Sequence, residues 1–299
     1  MNSEDFLKSF KEVTRSTTAE RYGHSGDGLE ILIVKSELCE AVISTQGAQL
    51  LEFIPKGGDN WLWLSPKAKF DTGEAIRGGI PICAPWFNKG EKEGQPKHGF
   101  LRNNHWEWVA CEENHGALSL SFEFSTEEQY LKWFSTEFTF TLTYHFDNQL
   151  NVDINIQNHS FMEMPFELAL HTYYSVSNVA DIKIKGLENR AYIDTRGGER
   201  KMATQEGHLK IVGENDAIYN QISNAIDIED GSAGYQISAV NLPSVVVWNA
   251  GPDLAAKIAD IGPGNHVGYV CVENAAIGTD SIQIASKGSY EAHIKIQAL

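Results

Sequence analysis

Apolar and polar residues alternate along most of this chain. Leu118, Leu120, Phe122 and Phe124 interleave with Ser119, Ser121 and Glu123, while Phe138, Phe140, Leu142, Tyr144 and Phe146 interleave with Thr139, Thr141, Thr143 and His145. Val152, Ile154 and Ile156 repeat the pattern, as do Ile182 with Ile184, Ile282 with Ile284, and the run from Ala292 to Ile296. Successive side chains of a strand point to opposite faces, so period-two patterning of this length predicts sheets with one buried face. Earlier, residues 29–34, 39–45, 50–55 and 61–64 form short apolar runs divided by Gly, Pro, Asn and Asp, the rhythm of an antiparallel meander. One segment departs from this. Phe6, Leu7, Phe10 and Val13 recur at helical spacing behind Ser3, with Glu4 and Asp5 in the first turn, which predicts a short helix over 3–13 packed on the body. No long helical segment separates the strands, so a parallel doubly wound sheet is excluded. The expected architecture is all-β, with a helix and lead-in over residues 1–28 and a single β domain over 29–299.

Charge narrows the partners. With 24 basic residues against 40 acidic ones, the formal net charge of −16 argues against a general affinity for nucleic acid or anionic membranes. An anion bound by such a chain needs its positive groups concentrated locally. The first residues carry no basic region followed by an apolar core, and no apolar run approaches the ~20 residues of a membrane span, so a cytoplasmic monomer is expected. Cys39, Cys83, Cys111 and Cys271 are widely spread without a C-x-x-C pair and read as buried free thiols. Asn158-His159-Ser160 matches a glycosylation sequon, a pattern too common to carry weight.

The stretch from Phe70 to Asn104 differs in kind, being long, irregular and rich in Gly, Pro and aromatics. Long connections in compact domains are functional or disordered, and this one is too aromatic for disorder; it reads as a binding loop laid over the sheet. The ten histidines show no H-x-H or H-x-x-x-H spacing, so no metal is expected. P-loop, dinucleotide and G-x-S-x-G motifs are absent, and no cofactor is expected. What remains is a histidine and a carboxylate. If 166–176 is one strand, Glu167, Ala169, His171 and Tyr173 share a face opposite Phe166, Leu168 and Leu170; in 268–273, Tyr269, Cys271 and Glu273 share a face opposite Val270 and Val272. His171 and Glu273 then stand away from the core beside aromatic or small neighbours, as the wall of a sugar cleft requires, although patterning alone does not pair them. A carboxylate near its reference pKa of ~4.3 is ionised at neutral pH, and a histidine near ~6.5 holds a proton when a carboxylate is close, so each needs only a small shift to act.

Eight strings occur in order along the chain: Arg77-Gly78-Gly79-Ile80-Pro81-Ile82-Cys83, Pro85-Trp86-Phe87, His98-Gly99-Phe100-Leu101-Arg102, Leu170-His171-Thr172-Tyr173-Tyr174, Gly186-Leu187, Asp216 with Tyr219, Val247-Trp248-Asn249 and Cys271-Val272-Glu273. Together they resemble the aldose 1-epimerase superfamily, most closely its hexose-6-phosphate mutarotase branch. The resemblance implies an antiparallel β-supersandwich of the galactose mutarotase type and interconversion of the α and β anomers of a hexose 6-phosphate. It implies His171 as the acid for the ring oxygen, Glu273 as the base for the anomeric hydroxyl, Arg77 and Arg102 as a phosphate-binding pair, and His98 and Asp216 as sugar contacts. Plainer roles stay open: a hydrogen-bonded sheet residue for His171, an edge carboxylate for Glu273, surface salt bridges for the arginines, a backbone-bonded loop residue for His98, a turn residue for Asp216, and loop anchors for Trp86 and Phe87. The chain departs from the family pattern at Ala217, where arginine is frequent, at Gly251-Pro252 and at Asn274-Ala275-Ala276. A mutarotase for unphosphorylated aldoses and a non-catalytic carbohydrate-binding protein on the same scaffold are the alternatives.

Overall fold

The computed structural model describes residues 3–24 and 26–299. The long alternating runs form one face of the molecule: an eight-stranded antiparallel sheet in the spatial order Lys183–Lys185, Ile226–Asp230, Ala233–Val240, Ser289–Ala298, Leu150–Asn158, Phe138–Phe146, Ala117–Ser125 and Glu107–Asn114. Its apolar side is the one read from the sequence, with Phe122, Phe138, Phe140, Tyr144 and Phe146 all essentially inaccessible, while Ser121 and Thr143 hydrogen-bond across strands on the opposite side. A second eight-stranded sheet carries Lys201–Thr204, Ala191–Asp194, Asn215–Tyr219, Ser244–Asn249, Tyr269–Ala276, Leu168–Leu170 and Ile82–Cys83 in that order, with Tyr173–Ser175 also paired to Tyr269–Ala276. A four-stranded meander of Val13–Thr17, Glu30–Lys35, Cys39–Ser44 and Gln49–Pro55 completes the body. Val270, Val272, Leu168, Leu170, Val245 and Val247 of the second sheet join the aromatic residues of the first in one core. On its other side Cys83, Ala169 and Val246 are buried in one cluster and Tyr173, Tyr269 and Cys271 in another. Tyr269–Ala276 is therefore buried on both faces, while Lys201–Thr204 at the sheet edge is exposed.

Two expectations need correction. The N-terminal helix ends at Ser9, and Val13 begins a strand that pairs with Glu30–Lys35. Phe6, Leu7 and Phe10 do pack inward, Phe6 with its ring 4.9 Å from Trp108, but Val13–Thr17, with β-branched Val13, Thr14 and Thr17, takes the open sheet edge in preference to another helical turn. Residues 61–64 make isolated bridges, Leu62 with Tyr174 and Leu64 with Gly78, instead of a strand. The four cysteines are buried and unpaired. Asn158 is fully buried, its amide donating to the carbonyls of Met162, Ile284 and Ala285, so no glycan can reach it. Among the described residues no helix is long and apolar enough to cross a membrane.

Of residues 70–104, expected to lie over the sheet, Ile82–Cys83 is itself the edge strand of the second sheet and Phe70 and Ile76 pack on the four-stranded meander; the stretch is hooked to the body by side chains that satisfy loop backbone. The Gln46 amide donates to the Glu74 carbonyl and accepts from the Gly73 N–H, and the Gln49 amide donates to the carbonyls of Ile76 and Gly78. Glu167 accepts from the N–H groups of Phe87 and Gly278, and Trp86 donates its indole N–H to the Pro96 carbonyl. Buried backbone must find partners, and these amides and carboxylates supply them where no strand does. At Gly99 the chain runs at φ 72° so close to the preceding turn that a Cβ would lie 1.8 Å from the Ala84 carbonyl oxygen, whereas Gly73 at φ 83° has open space around it. Substituting alanine separates the two costs. Gly73→Ala should lose about 1–2 kcal/mol in urea unfolding, the strain of a left-handed residue alone, and Gly99→Ala clearly more; equal losses would mean that the contact with Ala84 relaxes freely.

Candidate active site

The site grows from one strand pairing. Leu170 pairs with Asn274 and Tyr173 with Cys271, a register that sets His171 directly opposite Glu273. The expected strand over 166–176 is broken into Met164–Phe166, Leu168–Leu170 and Tyr173–Ser175, because the His171 N–H turns to the Pro81 carbonyl and the Tyr173 N–H to the Gly79 carbonyl. Even so the phase survives the breaks. His171 Nε2 lies 3.3 Å from Glu273 Oε1, with both side chains buried. The His171 ring stacks on Tyr173 at 4.9 Å and meets Trp248 edge-on at 5.9 Å, which fixes its plane. His171 Nδ1 and Glu273 Oε2 are buried without a hydrogen-bond partner, an expense that proteins rarely sustain outside a functional site.

Above this pair opens a cleft of about 450 Å³, within the span of small-molecule sites, and all six residues singled out in the sequence line it: Arg77, His98, Arg102, His171, Asp216 and Glu273. His98 is bonded to loop backbone and also lines the cleft. Its Nδ1 accepts from the Asn88 N–H at 3.2 Å, which leaves Nε2 as the N–H of a neutral ring, and that ring lies edge-on to His171 at 6.0 Å. Asp216 pairs in register with Trp248 in a strand and is not a turn residue. Arg77 is already engaged, donating from Nε to Asp260 at 3.2 Å and from Nη1 to the Tyr173 hydroxyl at 2.9 Å. Arg102 donates once, to the Lys97 carbonyl, and its Nε is buried with no partner. Trp86 anchors the loop, its ring edge-on to Phe100, whereas Phe87 lines the cleft. Sequence reasoning missed Lys97, which adds a third cation to the wall, and Asp260, the partner of Arg77. Lys97 directly precedes a quoted string and was within reach of it; nothing local marks Asp260.

Burial sets the protonation of the pair. Loss of solvent, with Arg102 and Arg77 nearby, drives the His171 imidazole well below its ordinary range, and loss of solvent, with Asp216 nearby, lifts the Glu273 carboxyl well above its own. The small shifts expected from the sequence are thus replaced by large opposed ones, and burial favours neutral imidazole beside carboxylic acid. Burial likewise keeps His98 uncharged and raises Asp216.

Comparison with known proteins gives a consistent picture. The sequence profile of the aldose 1-epimerase family matches residues 30–297. A Salmonella typhimurium protein provisionally named glucose-6-phosphate 1-epimerase is 32% identical over 249 residues, covering 83% of each chain. A protein of Escherichia coli K12 with the same provisional name is 32% identical over 251 residues, covering 83% of this chain and 84% of its own. The crystal structure of a provisionally named mutarotase from Salmonella typhimurium superposes with a TM-score of 0.82 at 28% identity, covering 92% of both chains.

The neutral acid has a consequence for stability. An unfolded chain releases the Glu273 proton near its ordinary value of 4.5, and the native state holds it to well above that. Between those values the native state binds more protons, so its stability falls as pH rises. Glu273→Gln keeps the neutral form at every pH. Its gain in unfolding free energy over the parent should therefore grow as pH rises above about 5; a gain independent of pH in urea titrations would show that the carboxyl is ionised in the native state.

Proposed function

The chain belongs to the aldose 1-epimerase family and is an isomerase of sugar anomers, and we propose that it acts on a hexose 6-phosphate, glucose 6-phosphate foremost, with His171 and Glu273 as its proton-transfer pair. One observation carries the reading: a buried histidine–carboxylate pair 3.3 Å apart at a cleft whose wall holds Arg77, Lys97 and Arg102. A chain of net charge −16 that gathers three cations at one cleft offers a local anion site, and guanidinium groups suit phosphate oxygens. Since Arg77 is tied to Asp260 and Tyr173, Arg102 with its unpartnered Nε and Lys97 are the groups best able to meet the phosphate. His98 offers a fixed Nε2–H donor to a sugar oxygen, and Asp216 an acceptor for sugar hydroxyls.

The chemistry needs the proton count the pair already has. With the proton on His171, Glu273 removes the proton of the anomeric O1–H, a lone pair on O1 forms the C1=O1 bond, and the C1–O5 electrons leave onto O5, which His171 protonates. The open-chain aldehyde rotates about C1–C2 and recloses by the reverse transfers on its other face. After ring opening, His171 is neutral and Glu273 protonated, the forms that burial favours. Starting and ending states differ only in where protons sit, so the dry pocket biases the pair toward the open chain without changing its charge. Positioned acid–base groups of this kind contribute roughly 10²- to 10⁴-fold each.

Four unpaired buried cysteines support a reducing compartment such as the cytoplasm. Exchange NMR on the two anomers of glucose 6-phosphate tests the enzyme reading. His171→Asn and Glu273→Gln should each slow protein-dependent exchange by about 10²-fold or more while sugar phosphate still binds; undiminished exchange in both would remove the pair from the mechanism. Arg102→Ala should raise KM for the phosphorylated sugar and leave exchange of glucose unchanged, and an unchanged KM would point to unphosphorylated aldoses instead.

A further inference from the structure

Cys271 lies beside the proton-transfer pair and has no part in it. It shares a strand face with Glu273, two residues on, and is fully buried opposite Tyr173. The ligand atoms of His171, Cys271 and Glu273 all lie within 4.8 Å of one another. One imidazole nitrogen, one sulfur and one carboxylate oxygen make the donor set of a tetrahedral zinc-type site, and the cleft that His171 and Glu273 line leaves room for a fourth ligand. We propose that these three residues bind a borderline-soft divalent cation, Zn²⁺ foremost, and that the cation inhibits the enzyme by occupying both proton-transfer groups. The inhibition rests on the roles proposed above for His171 and Glu273; the binding does not.

Geometry and charge both permit the site. Bonds of about 2.0–2.3 Å place tetrahedral ligand atoms roughly 3.3–3.8 Å apart. The His171–Glu273 distance is already 3.3 Å, and the thiol closes the remainder by rotating about its Cα–Cβ bond. Glu273 Oε2, buried without a partner, shows that the carboxyl has bonding capacity the protein leaves unused. On binding, the thiol proton and the proton of the pair leave to solvent, and thiolate plus carboxylate balance the dication, as a buried position requires. Arg77, Lys97 and Arg102 line the same cleft and disfavour a cation held by charge alone. The site therefore selects metals bound through sulfur over Mg²⁺ or Ca²⁺. The absence of H-x-H spacing hid it, because its ligands come from two paired strands.

Co²⁺ serves as the spectroscopic probe and Zn²⁺ as the inhibitor, both added to metal-free full-length protein. The parent protein should show thiolate-to-cobalt charge-transfer absorption that Zn²⁺ displaces, and Zn²⁺ should inhibit anomer exchange competitively with the sugar phosphate until EDTA restores it. Cys271→Ser should keep exchange activity, lose the absorption band and weaken Zn²⁺ inhibition by more than about tenfold, the least expected from removing a ligand when supporting groups alone cost that much. Cys271→Ala takes its place if serine disturbs the packing. Absence of the band in the parent, or band and inhibition that persist in both Cys271 variants, overturns the site. Cobalt bound through Cys271 in a protein that exchanges no anomers upholds the site and overturns the proposed function instead.

Discussion

The antiparallel pairing of 168–175 with Tyr269–Ala276 is the constraint on which the rest of the site depends. It sets His171 across from Glu273, and on its other flank Tyr269–Ala276 is held by Ser244–Asn249, with Val246 opposite Glu273. A carboxyl in the middle of a strand paired on both sides cannot swing to water, so the protein has to keep it dry, neutral or bonded to something. That is an unfavourable placement for stability, and it persists because the surrounding sheet over-determines it. The same rigidity holds the two groups at a distance where proton transfer is short. Stability is given up locally so that geometry is fixed.

How much of this could be read from the sequence follows from which physics is local. Strand phase is local: Leu168, Leu170, Val270 and Val272 face the core, and Tyr173, Cys271 and Glu273 the other way, as alternation alone indicates. Register between distant strands is not local, and the pairing of His171 with Glu273 became an expectation only through the family resemblance. The helix overshoot at 10–13 shows local signals in conflict, since Phe10 and Val13 keep helical spacing while Val13 to Thr17 carry the β-branched side chains that an open sheet edge selects. Protonation was the least legible property. Reference values describe a carboxyl in water, and the depth of burial that displaces Glu273 exists only once Tyr269–Ala276 is covered on both faces.

Charge is organised on two scales. The chain as a whole is strongly acidic, yet Arg77, Lys97 and Arg102 meet at one cleft, alongside Glu74, Glu214, Asp216, Glu273 and the Asp260 that pairs with Arg77. Beyond a Debye length an anionic ligand meets the average field, and inside the cleft it meets the local one.

The hooks on residues 70–104 have a consequence for selectivity. Gln46, Gln49, Glu167 and the Trp86 indole hold the loop's backbone in place before any sugar arrives, so its conformational entropy is lost during folding and does not weaken binding. Such a wall does not refit itself around each ligand, and discrimination among sugars must come from static shape and fixed donors such as the His98 Nε2–H. Epimers differing in one hydroxyl then lose little more than one hydrogen bond, and a preformed cleft of this kind turns away a poor fit because it does not rearrange to accommodate one.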